Sequence, residues 1–157
     1  MKILDSMFEE GMDSMVVMKS ENINYLTGFR PSNTSILILK EEPVLYTSTM
    51  DLEDANQTSE IPVEEFVSFA EIKKFLKGKV GIEDSMTVST YKKISKDFEA
   101  KITDIIERSR LVKSKTEIEN IKKAVEILSK QWGNPGYKNL CRSNNLWIFV
   151  TNYFLKI

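Results

Sequence analysis

SILILKEEPVLYT, residues 35–47, holds two apolar runs around a breaker. Ser35–Leu39 and Val44–Thr47 carry residues that fit a pleated, half-buried surface. Glu41-Glu42-Pro43 between them is too polar and too stiff to continue a strand. An antiparallel hairpin is expected. Upstream, Met15–Met18 (MVVM) is apolar without alternation, as a strand covered on both faces is. Downstream, Phe66–Ser68, Lys79–Ile82 and Ile102–Ile106 read as further short strands.

Helical patterns lie between these strands. Residues 3–10 put Ile3, Leu4, Met7 and Phe8 on one face before Gly11. A short turn over Ile23–Thr27, capped by Ser20 or Asn22, ends at Gly28. Asp51–Thr58 is polar with weak helical character. Ser68-Phe69-Ala70-Glu71 is a capping box for a helix with Phe69, Ile72, Phe75 and Leu76 on one face and Gly78 at its end. A helix from Val88 to Ala100 buries Val88, Tyr91, Ile94 and Phe98. Ser114-Lys115-Thr116-Glu117 is a second capping box, for a helix with the stripe Ile118, Ile121, Val125 and Leu128. Strands alternating with helices give a layered α/β domain, and the hairpin makes its sheet mixed.

From Gln131 to Ile157 the composition changes: there is no acidic residue, and both tryptophans and the single cysteine are here. One domain over residues 1–130 and a distinct tail over 131–157 are expected, the tail disordered or read from an altered frame. The totals exclude several function classes. The 157 residues contain no histidine, so Ser-His-Asp and Cys-His catalysis and His-containing zinc sites cannot be built from this chain. One cysteine, Cys141, makes no intrachain disulfide and suits a reducing cytoplasm. A net charge of −1, with no basic face interleaved with aromatics visible along the chain, argues against nucleic acid. Early acids in MKILDSMFEEG do not suit a signal peptide, and no apolar run is long enough to span a membrane.

Three stretches, in order, resemble the amino-terminal domain of the creatinase/prolidase family of Xaa-Pro peptidases. They are Asn22–Phe29 (NINYLTGF), Val80–Glu83 (VGIE) and Arg110–Ala124 (RLVKSKTEIENIKKA). The resemblance covers residues 1 to about 130. It implies a three-layer α/β/α domain with a mixed sheet and a ribonuclease H-like motif. It also implies a second, catalytic domain that binds two divalent metal ions through two Asp, one His and two Glu; none of those ligands can be placed here. The expected role is therefore non-catalytic: dimerisation and shaping of the active-site entrance, as a homodimer or paired with a related peptidase. No cofactor is expected in this chain. A regulatory subunit pairing with a full-length proline peptidase is the alternative.

Individual residues give weaker signals. Tyr25, Phe29 and Arg30 are the candidate substrate contacts. Tyr25, Leu26 and Phe29 equally fit core and turn packing around Gly28, and Arg30 a solvated loop. Asp51, Glu53 and Asp54 resemble a carboxylate cluster, but a helix start biased toward its dipole explains them. Glu83-Asp84 follows a strand, where adjacent side chains point apart, so a catalytic pair is not expected.

Overall fold

Met15 and Val17 turn to one side of a sheet and Val16 to the other, which is the period of an extended chain. The computed structural model describes residues 2–132, and the expected tail from 131 falls almost wholly outside them. The strands are β1 (Ser14–Val17), β2 (Ile36–Leu39), β3 (Val44–Thr47), β4 (Val63–Glu65), β5 (Lys79–Glu83) and β6 (Glu99–Thr103). They form one sheet in the order β4-β3-β2-β1-β5-β6. β1 pairs antiparallel with β2, and β2 with β3, so the hairpin is present. β1–β5, β5–β6 and β3–β4 are parallel. The sheet is mixed, as expected.

Helices cover both faces. On one side are α1 (Lys2–Glu9), α2 (Ser20–Thr27), α3 (Leu52–Thr58) and α6 (Ile105–Leu111). They supply Met7, Ile23, Ala55 and Ile106 to a core with Met15, Leu37, Leu39 and Leu45. On the other are α4 (Phe69–Ile72), continued by a 3-10 turn over Lys73–Phe75, and α5 (Val88–Ser95). They bury Ile72, Leu76 and Ile94 against Val16, Ile36, Ile38, Val80 and Ile82.

Several boundaries differ from the sequence expectation. The fourth strand is Val63–Glu65, not Phe66–Ser68. The last strand is Glu99–Thr103, and Ile105-Ile106 opens α6 instead of ending a strand. The helix expected to reach Ala100 therefore stops at Ser95. Ser68 does cap α4, accepting from Glu71 N at 3.3 Å. The 3-10 turn then rotates Phe75 outward, leaving it 40% exposed although it was assigned to the buried face.

The chain divides into two compact units, residues 1–111 and 112–157. The second contains α7 (Lys115–Trp132), whose start is the expected capping box. Ser114 N donates to Glu117 Oε2 at 2.7 Å, and Glu117 N donates to Ser114 Oγ at 3.2 Å. The bond from the Ser114 backbone, then that from its hydroxyl, holds the Glu117 carboxyl below its ordinary range.

Gly81 in β5 sits close against the side chains of Met12 and Met15. A Cβ there would lie 2.7 Å from Met12 Sδ and 3.2 Å from Met15 Cγ. The Met12 tip can move, but Met15 is a buried strand residue with little room. Gly81→Ala is expected to cost about 1–3 kcal/mol through overpacking. A urea midpoint unchanged from the parent chain would refute this close approach.

Candidate functional site

Parallel pairing brings the carboxyl ends of β1 and β5 side by side, with Val16 opposite Ile82. The next residue of β5 is Glu83, only 2% exposed. Its Oε2 accepts from Met18 N at 2.8 Å and Lys19 N at 3.0 Å, at the start of α2. Its Oε1 accepts from Asn22 Nδ2 at 2.5 Å. Asn22, also buried, donates from the same amide nitrogen to Glu107 Oε1 at 2.7 Å. Its Oδ1 accepts from Arg110 Nη1 at 2.8 Å. Lys19 Nζ lies 3.6 Å from Glu107 Oε1. Two carboxylates are thus matched by one lysine and one arginine, with the Asn22 amide between them. Its orientation is fixed by chemistry: only NH2 can face two carboxylates, and only oxygen can face a guanidinium.

In open α/β sheets, ligands bind beyond the carboxyl ends of strands, where the order of strands switches direction. β1 is such a point, with antiparallel β2 on one side and parallel β5 on the other. Here the backbone N–H groups that would face a ligand anion are taken by the chain's own Glu83. A buried carboxylate with three donors already in place has no open oxygen for proton transfer or nucleophilic attack. The arrangement is a joint that fixes β1, α2, β5 and α6 together. Asp84, its neighbour, is exposed in the turn that follows β5.

This joint is not foreseen from the sequence, which offers Asn22 as a possible helix cap and Glu83-Asp84 only as a catalytic pair that is not expected. A signal was present. Asn22 begins the first of the three stretches quoted above, Glu83 ends the second, and Arg110 begins the third. Folding brings one end residue of each stretch into a single hydrogen-bonded group.

The three candidate contacts do not form one surface. Phe29 is 1% exposed and lies in the core with Ile23, Leu26 and Leu37. The left-handed Gly28 (φ 75°) and Phe29 N, which donates to Thr27 Oγ1 at 3.1 Å, turn the ring inward. Tyr25 is 39% exposed, its hydroxyl 3.5 Å from the Ser109 carbonyl oxygen. Arg30 is exposed and makes no ion pair or hydrogen bond among the described residues. The packing alternative weighed for Phe29 thus describes its position.

Arg30 stands on a loop held by Asp51. Asp51 Oδ2 accepts from Ser32 N at 3.1 Å and Asn33 N at 2.9 Å, and Oδ1 accepts from Ser32 Oγ at 2.5 Å. Asp51 is the N-cap residue of α3, with Glu53 and Asp54 in its first turn, the acidic helix start expected; its side chain makes no cap bond and anchors the loop instead. Burial pushes its carboxyl up, but the hydrogen bonds from Ser32 and Asn33 outweigh burial and hold it below the usual carboxylate range. A lowered native pKa contributes stability above the unfolded-state pKa, and that stability is lost as pH falls through the native value. Asp51→Asn is expected to cost about 1–3 kcal/mol at neutral pH, because the amide cannot replace every accepting lone pair. It is also expected to flatten the acid limb of the stability curve. Urea midpoints for both chains across acidic pH would check it, and parallel acid limbs would refute it.

Among the described residues, no group of three or more His, Cys, Asp or Glu is placed to hold a metal ion. The carboxylates around residues 51–54 are thus not a ligand set, and these residues do not fit a two-metal centre. No helix among the described residues is long and apolar enough to cross a membrane.

The family model for the Creatinase/Prolidase N-terminal domain matches residues 1–112. An uncharacterised peptidase of Methanocaldococcus jannaschii is 36% identical over 130 residues, covering 82% of this chain and 36% of that protein. An Xaa-Pro dipeptidase of Pyrococcus horikoshii is 34% identical over 136 residues, covering 82% of this chain and 39% of that protein. The crystal structure of the prolidase from Pyrococcus horikoshii superimposes with a TM-score of 0.74 at 31% identity, covering 82% of this chain and 39% of that one. The chain thus spans less than half the length of the curated relatives it matches.

Proposed function

Since the chain belongs to the Creatinase/Prolidase N-terminal domain family, we propose that it is a structural and assembly module of an Xaa-Pro metallohydrolase and not a hydrolase by itself. In this reading it takes part in a dimer, as a homodimer or with a related peptidase, and forms part of the wall around the entrance to a catalytic domain. It binds no metal of its own, and it works in the cytoplasm. The observation that supports the reading best is the use made of the family-like residues. Asn22, Glu83 and Arg110 serve an internal joint, in which both oxygens of Glu83 already accept hydrogen bonds. The absence of histidine from the chain adds a chemical reason, since a water-activating site near neutrality most often uses one.

The test is direct. The purified chain is incubated with an Xaa-Pro dipeptide and added Mn, Co or Zn. No release of proline above the metal-only control is expected. Metal-dependent cleavage that survives repurification would overturn the reading. Sedimentation of the chain alone, and mixed with a full-length family peptidase, separates the homodimer from the regulatory alternative: a complex formed only in the mixture favours the latter.

A further inference from the structure

α4 with its 3-10 turn and α5 form one layer over the second core. Ile72, Leu76 and Ile94 point inward, and a Lys73–Asp97 ion pair ties the two segments together. That packing leaves Lys74, Lys77, Lys92, Lys93 and Lys96 exposed, and none of them forms an ion pair among the described residues. Phe75 stands half-exposed in the same layer, its ring stacked on Tyr46 at 5.7 Å. Lys40 Nζ lies 5.3 Å from its centroid, and Lys93 Nζ lies 5.9 Å from that of Phe69. The basic face with aromatics that is not visible along the chain is thus assembled by folding from two separate segments.

The charge balance makes the layer unusual. Residues 1–111 carry 14 Lys and Arg against 20 Asp and Glu, a net charge of −6. Yet residues 72–82 contain four lysines and residues 88–96 three, with no acid in either segment, and Glu71 is the one acid within α4, its 3-10 turn and α5. At physiological salt a charge is felt over about 8 Å. A long polyanion or an anionic membrane extends beyond such a layer and meets the acidic remainder, which repels it. A short acidic chain does not. We infer that this layer docks a short acidic segment of a partner polypeptide, with its carboxylates on Lys74, Lys77, Lys92, Lys93 and Lys96 and an apolar side chain against Phe75. Binding relieves the mutual repulsion of lysines that form no ion pair of their own among the described residues.

The full chain is titrated into a fluorescein-labelled Asp/Glu-rich peptide containing one phenylalanine, and anisotropy is followed at low ionic strength. Saturable binding is expected. The combined change Lys92→Glu, Lys93→Glu, Lys96→Glu is expected to weaken it at least about tenfold, since exposed pairs are individually weak and act together. Arg30→Glu, a charge reversal outside the layer, is expected to leave it unchanged. If the triple variant shows a lost urea transition, Lys74→Glu with Lys77→Glu gives the same reading from the other segment. No saturable binding, or an equal loss with Arg30→Glu, would overturn the inference. So would tighter binding to phosphatidylserine vesicles or to a single-stranded oligonucleotide. Lysine-dependent self-association of the chain alone would also overturn it, by making a second copy the occupant.

Discussion

Glu83→Ala is expected to remove about 3–5 kcal/mol of stability, the loss that follows when one partner of a buried charged group is deleted. Three donors lose their acceptor at once: Met18 N, Lys19 N and one N–H of Asn22. None can turn to water without opening the junction of β1 and β5. A domain of this size has roughly 5–15 kcal/mol in all, so the variant approaches the folding threshold. Glu83→Gln keeps the shape but places an amide N–H2 against other donors, and is expected to lose about 1–3 kcal/mol. Urea denaturation followed by circular dichroism separates the three chains. A loss below about 1 kcal/mol in Glu83→Ala would show that water satisfies those donors and that the joint is not a stability element. Adding Asn22→Ala to Glu83→Ala should cost far less than the sum of the single changes, because both act on one network.

Phe29→Ala is expected to be as severe, about 3–5 kcal/mol, by the loss of a buried aromatic ring and the cavity it leaves. Its neighbour offers the control. Arg30→Ala removes an exposed side chain with no described partner and is expected to fall within about 0.5 kcal/mol of the parent. The contrast distinguishes packing from ligand contact at these adjacent residues. Equal, small effects at both positions would mean that the Phe29 ring is not seated in the core.

Continuous apolar runs were the most legible part of the fold. Met15–Val17 and SILIL are buried on both faces, and no helix of that length would show such a run between turn signals. Gly28, the hairpin and both capping-box serines were readable because each is a local arrangement of a few residues. The edge strands were not. β4 is Val-Glu-Glu and β6 is Glu-Ala-Lys-Ile-Thr, half-solvated sequences with no apolar run to mark them. The strongly apolar Ile105-Ile106 drew the last strand too far along the chain, although those side chains fill the core from the first turn of α6. The polar joint was hidden for a different reason. Asn22, Glu83 and Arg110 meet only after three distant elements have packed. No local periodicity records a non-local hydrogen bond. The resemblance of the three stretches marked the right residues without revealing that they touch.

The parallel pairing of β1 with β5 has a consequence for synthesis on the ribosome. The central strand emerges early, yet its neighbour on one side is some 65 residues behind it. During that interval β1 has only the β2–β3 hairpin as a neighbour in the sheet, and one lateral edge stays open to other chains. Closure waits for α6, whose Arg110 makes the last bond of the joint one residue before the compact unit ends. Nascent chains arrested upstream of that arginine should therefore be the ones that need a chaperone.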